Sequence, residues 1–137
     1  MLSIEEFGEI LDELSGGMPE DFFRELNGGV LLMEHAKLHP ASARQDLWIM
    51  GEYSVSRSMG RTIYIYYGSF ARVYGYLPEQ ALRRRVRKTL VHEFRHHLES
   101  LAGERDLEVE DAVALARYRR HLVEAAEHSN INPQQNF

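Results

Sequence analysis

Residues 78–102 carry two separate stripes along what reads as one long helix, and no other segment constrains the fold as strongly. Pro78 and Glu79 suit a first helical turn, where a missing N–H costs little and an acid meets the positive end of the helix dipole. Gly103 offers a C-terminal stop after Ala102. With His92 set to zero and about 100° per residue, Leu82, Val86, Leu90, Phe94, Leu98 and Leu101 fall between about 80° and 240°. Arg85, Thr89, His92, His96 and Glu99 gather within about 60° of zero. A chain built around this segment has to lay the first stripe on a core and leave the second along a cleft or in water. Glu93 sits at the border between them. His97, near 140°, falls inside the apolar stripe and is expected to be a buried, hydrogen-bonded structural histidine.

The polar stripe holds His92-Glu93-Phe94-Arg95-His96, an H-E-x-x-H sequence. Side chains four apart share a helix face, so both imidazoles can reach one ion. Glu93, about 100° round the helix, can reach a water on that ion instead of the ion itself. Zinc lowers the pKa of such a water towards about 7, and the carboxylate then takes its proton. The plain alternative is a solvated helix face with two surface histidines. Catalytic zinc commonly has three protein ligands, so one more donor is needed. Asp106 is the first candidate, because the chain can fold back after Gly103, although the same residue suits the N-cap of a following helix. Glu99 lies on the correct stripe, but about 10 Å along the axis from His92, and it can pair with Arg95 instead. Glu108, Glu110 and Asp111 remain open as donors.

The chain has 137 residues, 44% apolar and 27% charged, which suits one globular domain and not two cores or a disordered chain. The domain is expected over 1–128, followed by a polar tail over 129–137. No apolar run approaches about 18 residues, and the N-terminus is acidic and interrupted, unlike a secretory leader. A cytoplasmic location with no membrane partner is the expectation. With no cysteine, a transition metal must be held by His, Asp or Glu. Ser3 and Glu6 form a capping-box pattern ahead of a helix over 3–15, closed by Gly16-Gly17. A second short helix is predicted over 19–27 with Phe22, Phe23 and Leu26 inward, then a strand over 29–33. Residues 35–46 read as a surface loop; Pro40 disfavours helix at His39, so His35 and His39 are not taken as a second metal site. Strands are predicted over 47–53 and 62–67, and one or two helical turns within 68–76. Thr62–Tyr67 is a candidate edge strand for an extended peptide, and Tyr67 and Tyr74 are candidate oxyanion donors. A last helix is predicted from Asp106, with Leu107, Val109 and Val113 among its inward residues.

The net charge of −5 is unevenly spread, with 11 acids against 4 bases in residues 1–60 and 10 against 12 in the remainder. The run Arg83-Arg84-Arg85-Val86-Arg87-Lys88 is distributed around one helix, which reads as a solvated face before it reads as a nucleic-acid patch. No nucleic-acid partner is expected, and binding through Arg83–Lys88 is the third-ranked reading.

The stretch His92–Asp111, with its doubled His96-His97, resembles the small bacterial zincin-like metallopeptidase family, whose helix carries H-E-x-x-H-H. Weaker matches extend upstream through NGGVLL, GEY and IYYGSF. The resemblance implies an α+β minimal zincin-like fold: a small mixed sheet on an active-site helix and two or three further helices. It implies His92 and His96 as zinc ligands and Glu93 as catalytic base. Many members carry G-x-x-D soon after the second His, with the Asp as third ligand; here Gly103-Glu104-Arg105-Asp106 arrives four residues late, as though one helical turn were inserted. The function read from these residues is a zinc-dependent metallopeptidase acting on a peptide or protein substrate. The second reading is a zincin-fold binding or regulatory module with weak catalysis.

Overall fold

The computed structural model describes residues 1–104 and 117–120. The inward residues assigned to a last helix, Leu107, Val109 and Val113, lie outside the described residues, as does the tail over 129–137. Helix α1, Ile4–Gly16, begins where Ser3 accepts from the Glu6 N–H while the Glu6 side chain accepts from the Ser3 N–H. Both bonds satisfy donors that a helix start would otherwise leave open. The second helix predicted over 19–27 is only a 3₁₀ turn, Glu20–Phe23. It stops because Arg24 is extended and Glu25 has φ 58°, in the left-handed region. Phe22 and Leu26 are buried as expected, whereas Phe23 is partly exposed.

Strand β1, Gly29–Met33, follows. The segment expected to be loop contains β2, Lys37–Leu38, which pairs antiparallel with β3, Trp48–Ile49. The single strand expected over 47–53 is therefore two. Met50 separates β3 from β4, Gly51–Ser56, and its buried side chain anchors the break while its carbonyl accepts from the Tyr66 N–H. Strand β5, Gly60–Tyr66, runs between β1, which is parallel to it, and β4, which is antiparallel. This overturns the reading of Thr62–Tyr67 as an edge. Arg61, Thr62, Ile63, Ile65 and Tyr66 are all buried, so the strand is covered on both faces, as central strands are. The edge next to the long helix is β4.

Helix α2, Tyr67–Tyr74, leads to α3, Glu79–Glu104. Gly103 does not stop α3; it lies within the helix. Leu82, Val86, Leu90, Phe94, Leu98 and Leu101 are all buried, so the predicted apolar stripe is the face that meets the core. Helix α3 packs across β4 and β5 and against α1, while α2 covers β1 and the β2–β3 pair. The result is an α+β fold with a small mixed sheet. Among the described residues no helix is long and apolar enough to cross a membrane.

Phe94 is fully buried, with ring centroids 5.6 Å from Phe22 and 5.1 Å from Phe23. Truncating it to alanine should cost about 3–5 kcal/mol, because the lost burial and the cavity add. Urea unfolding of Phe94→Ala should show the midpoint falling accordingly; a change below about 1 kcal/mol would mean that α3 is not anchored there.

Candidate metal centre

Helix α3, the edge strand β4 and the β2–β3 pair wall a cleft of about 720 Å³. The helix contributes His92, Glu93, His96, Glu99 and Ser100, and β4 contributes Gly51, Glu52 and Tyr53. His39 and Ile49 come from the paired strands and their connection. Among the described residues, none that lines the cleft is Lys or Arg.

One turn of helix brings His92 Nε2 and His96 Nε2 to 3.1 Å from each other. Two nitrogens at about 2.0–2.1 Å from one tetrahedral zinc would be separated by about 3.3 Å, so the pair fits two positions of such an ion. His92 is half-buried and His96 exposed. Burial, then the neighbouring His96 and Arg95, push the His92 pKa down to about 4. The ring is therefore neutral near pH 7, which is the form that ligates metals.

Glu93 is buried, with only 2% of its surface exposed, and it faces the same cleft. Burial, reinforced by the charge of Glu52, pushes its pKa up to about 8. Glu52 behaves differently. Burial works against its charge, yet hydrogen bonds from Lys37 Nζ at 2.6 Å and Tyr66 OH at 2.8 Å hold its carboxyl below the usual range. Glu52 and Glu93 are thus driven in opposite directions, the arrangement that lets one hold a proton while the other stays charged.

A third donor is not assembled among the described residues. Among the described residues no group of three His, Cys, Asp or Glu side chains is arranged to hold a metal ion. Glu99 accepts from Arg95 Nε at 3.0 Å, the pairing weighed against its ligand role in the sequence. Asp106, Glu108, Glu110 and Asp111 lie outside the described residues.

Behind the cleft, His97 is buried and spends both nitrogens. The Arg24 carbonyl, 2.8 Å from Nε2, can only accept, so Nε2 carries the hydrogen. Nδ1 therefore accepts from Tyr53 OH at 2.8 Å, and the same oxygen accepts from Arg61, which also donates to Ser100. This chain of bonds fixes the roll of α3 against β4. Tyr67 and Tyr74, the tyrosines singled out from sequence, do not line the cleft. Tyr67 donates to the Leu2 carbonyl, and Tyr74 is buried beneath the Arg85 guanidinium. Tyr53 and His39 line it instead. In the sequence, Gly51-Glu52-Tyr53 stands out only through its resemblance. His39 is set aside there as part of a loop, because helical spacing is the wrong test for a residue delivered by a strand pair. In the basic run, Arg83 pairs with Glu13 at 2.8 Å and Arg85 stacks on Tyr74, so both are spent within the molecule.

Residues 47–116 match the family described as zincin-like metallopeptidase. Among solved structures, the chain is similar to a conserved hypothetical protein of T. thermophilus, at 38% identity and a TM-score of 0.64. That match covers 75% of this chain and all of the other. A comparison with curated proteins returns no match.

The buried carboxyl of Glu93 makes a testable contribution to stability. Its folded pKa, about 8, lies above the ordinary 4.5, so its contribution is complete below about pH 4.5 and is lost as pH rises towards 8. In metal-free protein, Glu93→Gln should therefore melt about 5 °C above the wild type at pH 8, with the gap closing towards pH 5. Melting curves across that range check it; equal melting points at pH 8 would contradict the burial argument.

Proposed function

The chain belongs to the zincin-like metallopeptidase family, and we propose on that basis that it is a zinc-dependent hydrolase of peptide bonds with Glu93 as the general base. The α+β architecture is that of a minimal zincin-like fold. The single observation that supports the reading best is the 3.1 Å convergence of His92 and His96 beside a buried carboxyl on the same cleft wall. His92 and His96 would hold the zinc, with Asp106 as the proposed third ligand and Glu99 as its alternative.

When bound, zinc supplies a Lewis acid that acidifies a water and polarises a carbonyl. Without metal, Glu93 holds a proton; the charge of a bound dication would favour its carboxylate, which would then accept the proton of the attacking water and deliver it to the departing amine. Its burial limits competing hydration of that carboxylate. Strand β4 is the outer strand of the sheet beside the cleft, so an extended peptide would add to its edge and pass over the two histidines. The role that the sequence offers to 62–67 thus passes to β4. Tyr53 forms part of the wall, but its hydroxyl is already engaged by Arg61 and His97. The substrate is a peptide or protein, and neither nucleic acid nor membrane enters this reading.

Elemental analysis and a fluorogenic peptide library test the two halves separately. Wild type and Glu93→Gln should each carry near-stoichiometric zinc, and His92→Ala with His96→Ala should carry none. Hydrolysis should fall by at least about 100-fold in Glu93→Gln, the scale of a lost general base. Zinc retained by the double-histidine variant would overturn the ligand assignment. Zinc bound by a wild type that cleaves no peptide would favour a binding module instead.

A further inference from the structure

Helix α3 comes close to strand β4 at Gly51. A Cβ built on that glycine would lie 2.7 Å from Thr89 Cγ2, 3.1 Å from Glu93 Cγ and 3.3 Å from Glu93 Oε2. Thr89 and Glu93 are four residues apart, so both project from the same face of α3 onto the same spot of β4. Both are buried, at 2% exposure each. Gly51 itself has no positive φ, so the backbone conformation is open to any residue and the glycine is required by space alone.

We infer that Gly51 is the positioning residue for Glu93: the missing side chain on β4 is the seat in which the carboxylate rests beside His92 and His96. This rests on the reading of Glu93 as general base and adds the element that holds it in place. The two neighbours respond differently to an added methyl group. Thr89 is β-branched and buried, with few χ1 alternatives in a helix, so the clash is relieved mainly by movement of the helix. Glu93 has three torsions and can yield by itself, moving its carboxylate by a few tenths of an ångström. Gly51→Ala therefore does two separable things. It lifts α3 from the sheet through Thr89, and it unseats the carboxylate of Glu93. Thr89→Ser removes the obstructing Cγ2 and keeps the hydroxyl, leaving only the second effect.

The test combines Gly51→Ala, Thr89→Ser and Glu93→Ala. In metal-free protein, Gly51→Ala should lower the melting temperature by about 5–10 °C, the range for overpacking a tight contact. Adding Thr89→Ser should recover most of that loss. The remainder should vanish when Glu93→Ala is present as well, because the seat is then vacant. This coupling is read by melting alone and needs no turnover. In zinc-loaded protein, Gly51→Ala/Thr89→Ser should keep its zinc and its KM for a fluorogenic peptide while kcat falls by about tenfold, as expected for a displaced base. Wild-type melting and wild-type kcat in the double variant would overturn the inference. So would a melting penalty unaffected by Glu93→Ala, which would make Gly51 a spacer for the helix only. If the coupling is found but the wild type cleaves no peptide, the seat for Glu93 stands and the peptidase reading alone falls.

Discussion

The contact between α3 and β4 is the interaction on which the rest of the site depends. A helix and a strand pack this closely only where side chains are small on one of them, and here Gly51 provides the gap. The buried face of α3 is mostly apolar, from Leu82 to Leu101, and that burial supplies the energy of the contact. Three polar residues, Thr89, Glu93 and His97, are carried into the same interface at consecutive turns. Burying such groups is unfavourable unless each finds a partner. His97 finds two, Tyr53 and the Arg24 carbonyl. Glu93 is pushed instead towards holding a proton. The stable part of the interface thus carries the proposed base.

That division accounts for the doubled histidine. His92 and His96 share a face and turn their Nε2 atoms towards each other in the cleft. His97 is about 100° further round, so it enters the core and spends its nitrogens on the sheet and the 3₁₀ region. The side chain next in sequence to one proposed ligand therefore sets the rotation of the helix that bears both. Arg61 extends this from β5, since it reaches Tyr53 on β4 and Ser100 on α3 together. Helix, edge strand and central strand are tied at one point directly behind the cleft.

Much of this is legible in the residues, for reasons that differ from place to place. The long helix and its two stripes are readable because a period of 3.6 persists from Leu82 to Leu101. The capping box at Ser3 and Glu6 is readable because its bonds are local. Strand order is not. β-branched and aromatic residues mark 62–67 as a strand, but nothing in their order distinguishes a central strand from an edge. The break at Met50 is equally hidden, because 47–53 reads as one strand-like segment whose halves pair with different partners. His39 and Tyr53 reach the cleft through that pairing, so their place depends on contacts distant in sequence.

Gly51 shows the same limit most sharply. Glycine in a strand ordinarily weakens it and often marks a close approach of something else. Sequence alone can raise that possibility but cannot name what approaches, because the answer lies about 40 residues away on another element. The same geometry explains why an acid is tolerated inside the interface. Glu93 occupies volume that a side chain at 51 would otherwise fill, so its carboxyl is packed and shielded from solvent except towards the cleft. Burial and the charge of Glu52, rather than a hydrogen bond among the described residues, set its hold on a proton. Held by shape rather than by a hydrogen bond among the described residues, the proposed base keeps both carboxyl oxygens available for proton transfer. In this protein the gap on the strand and the carboxylate on the helix are two halves of one arrangement.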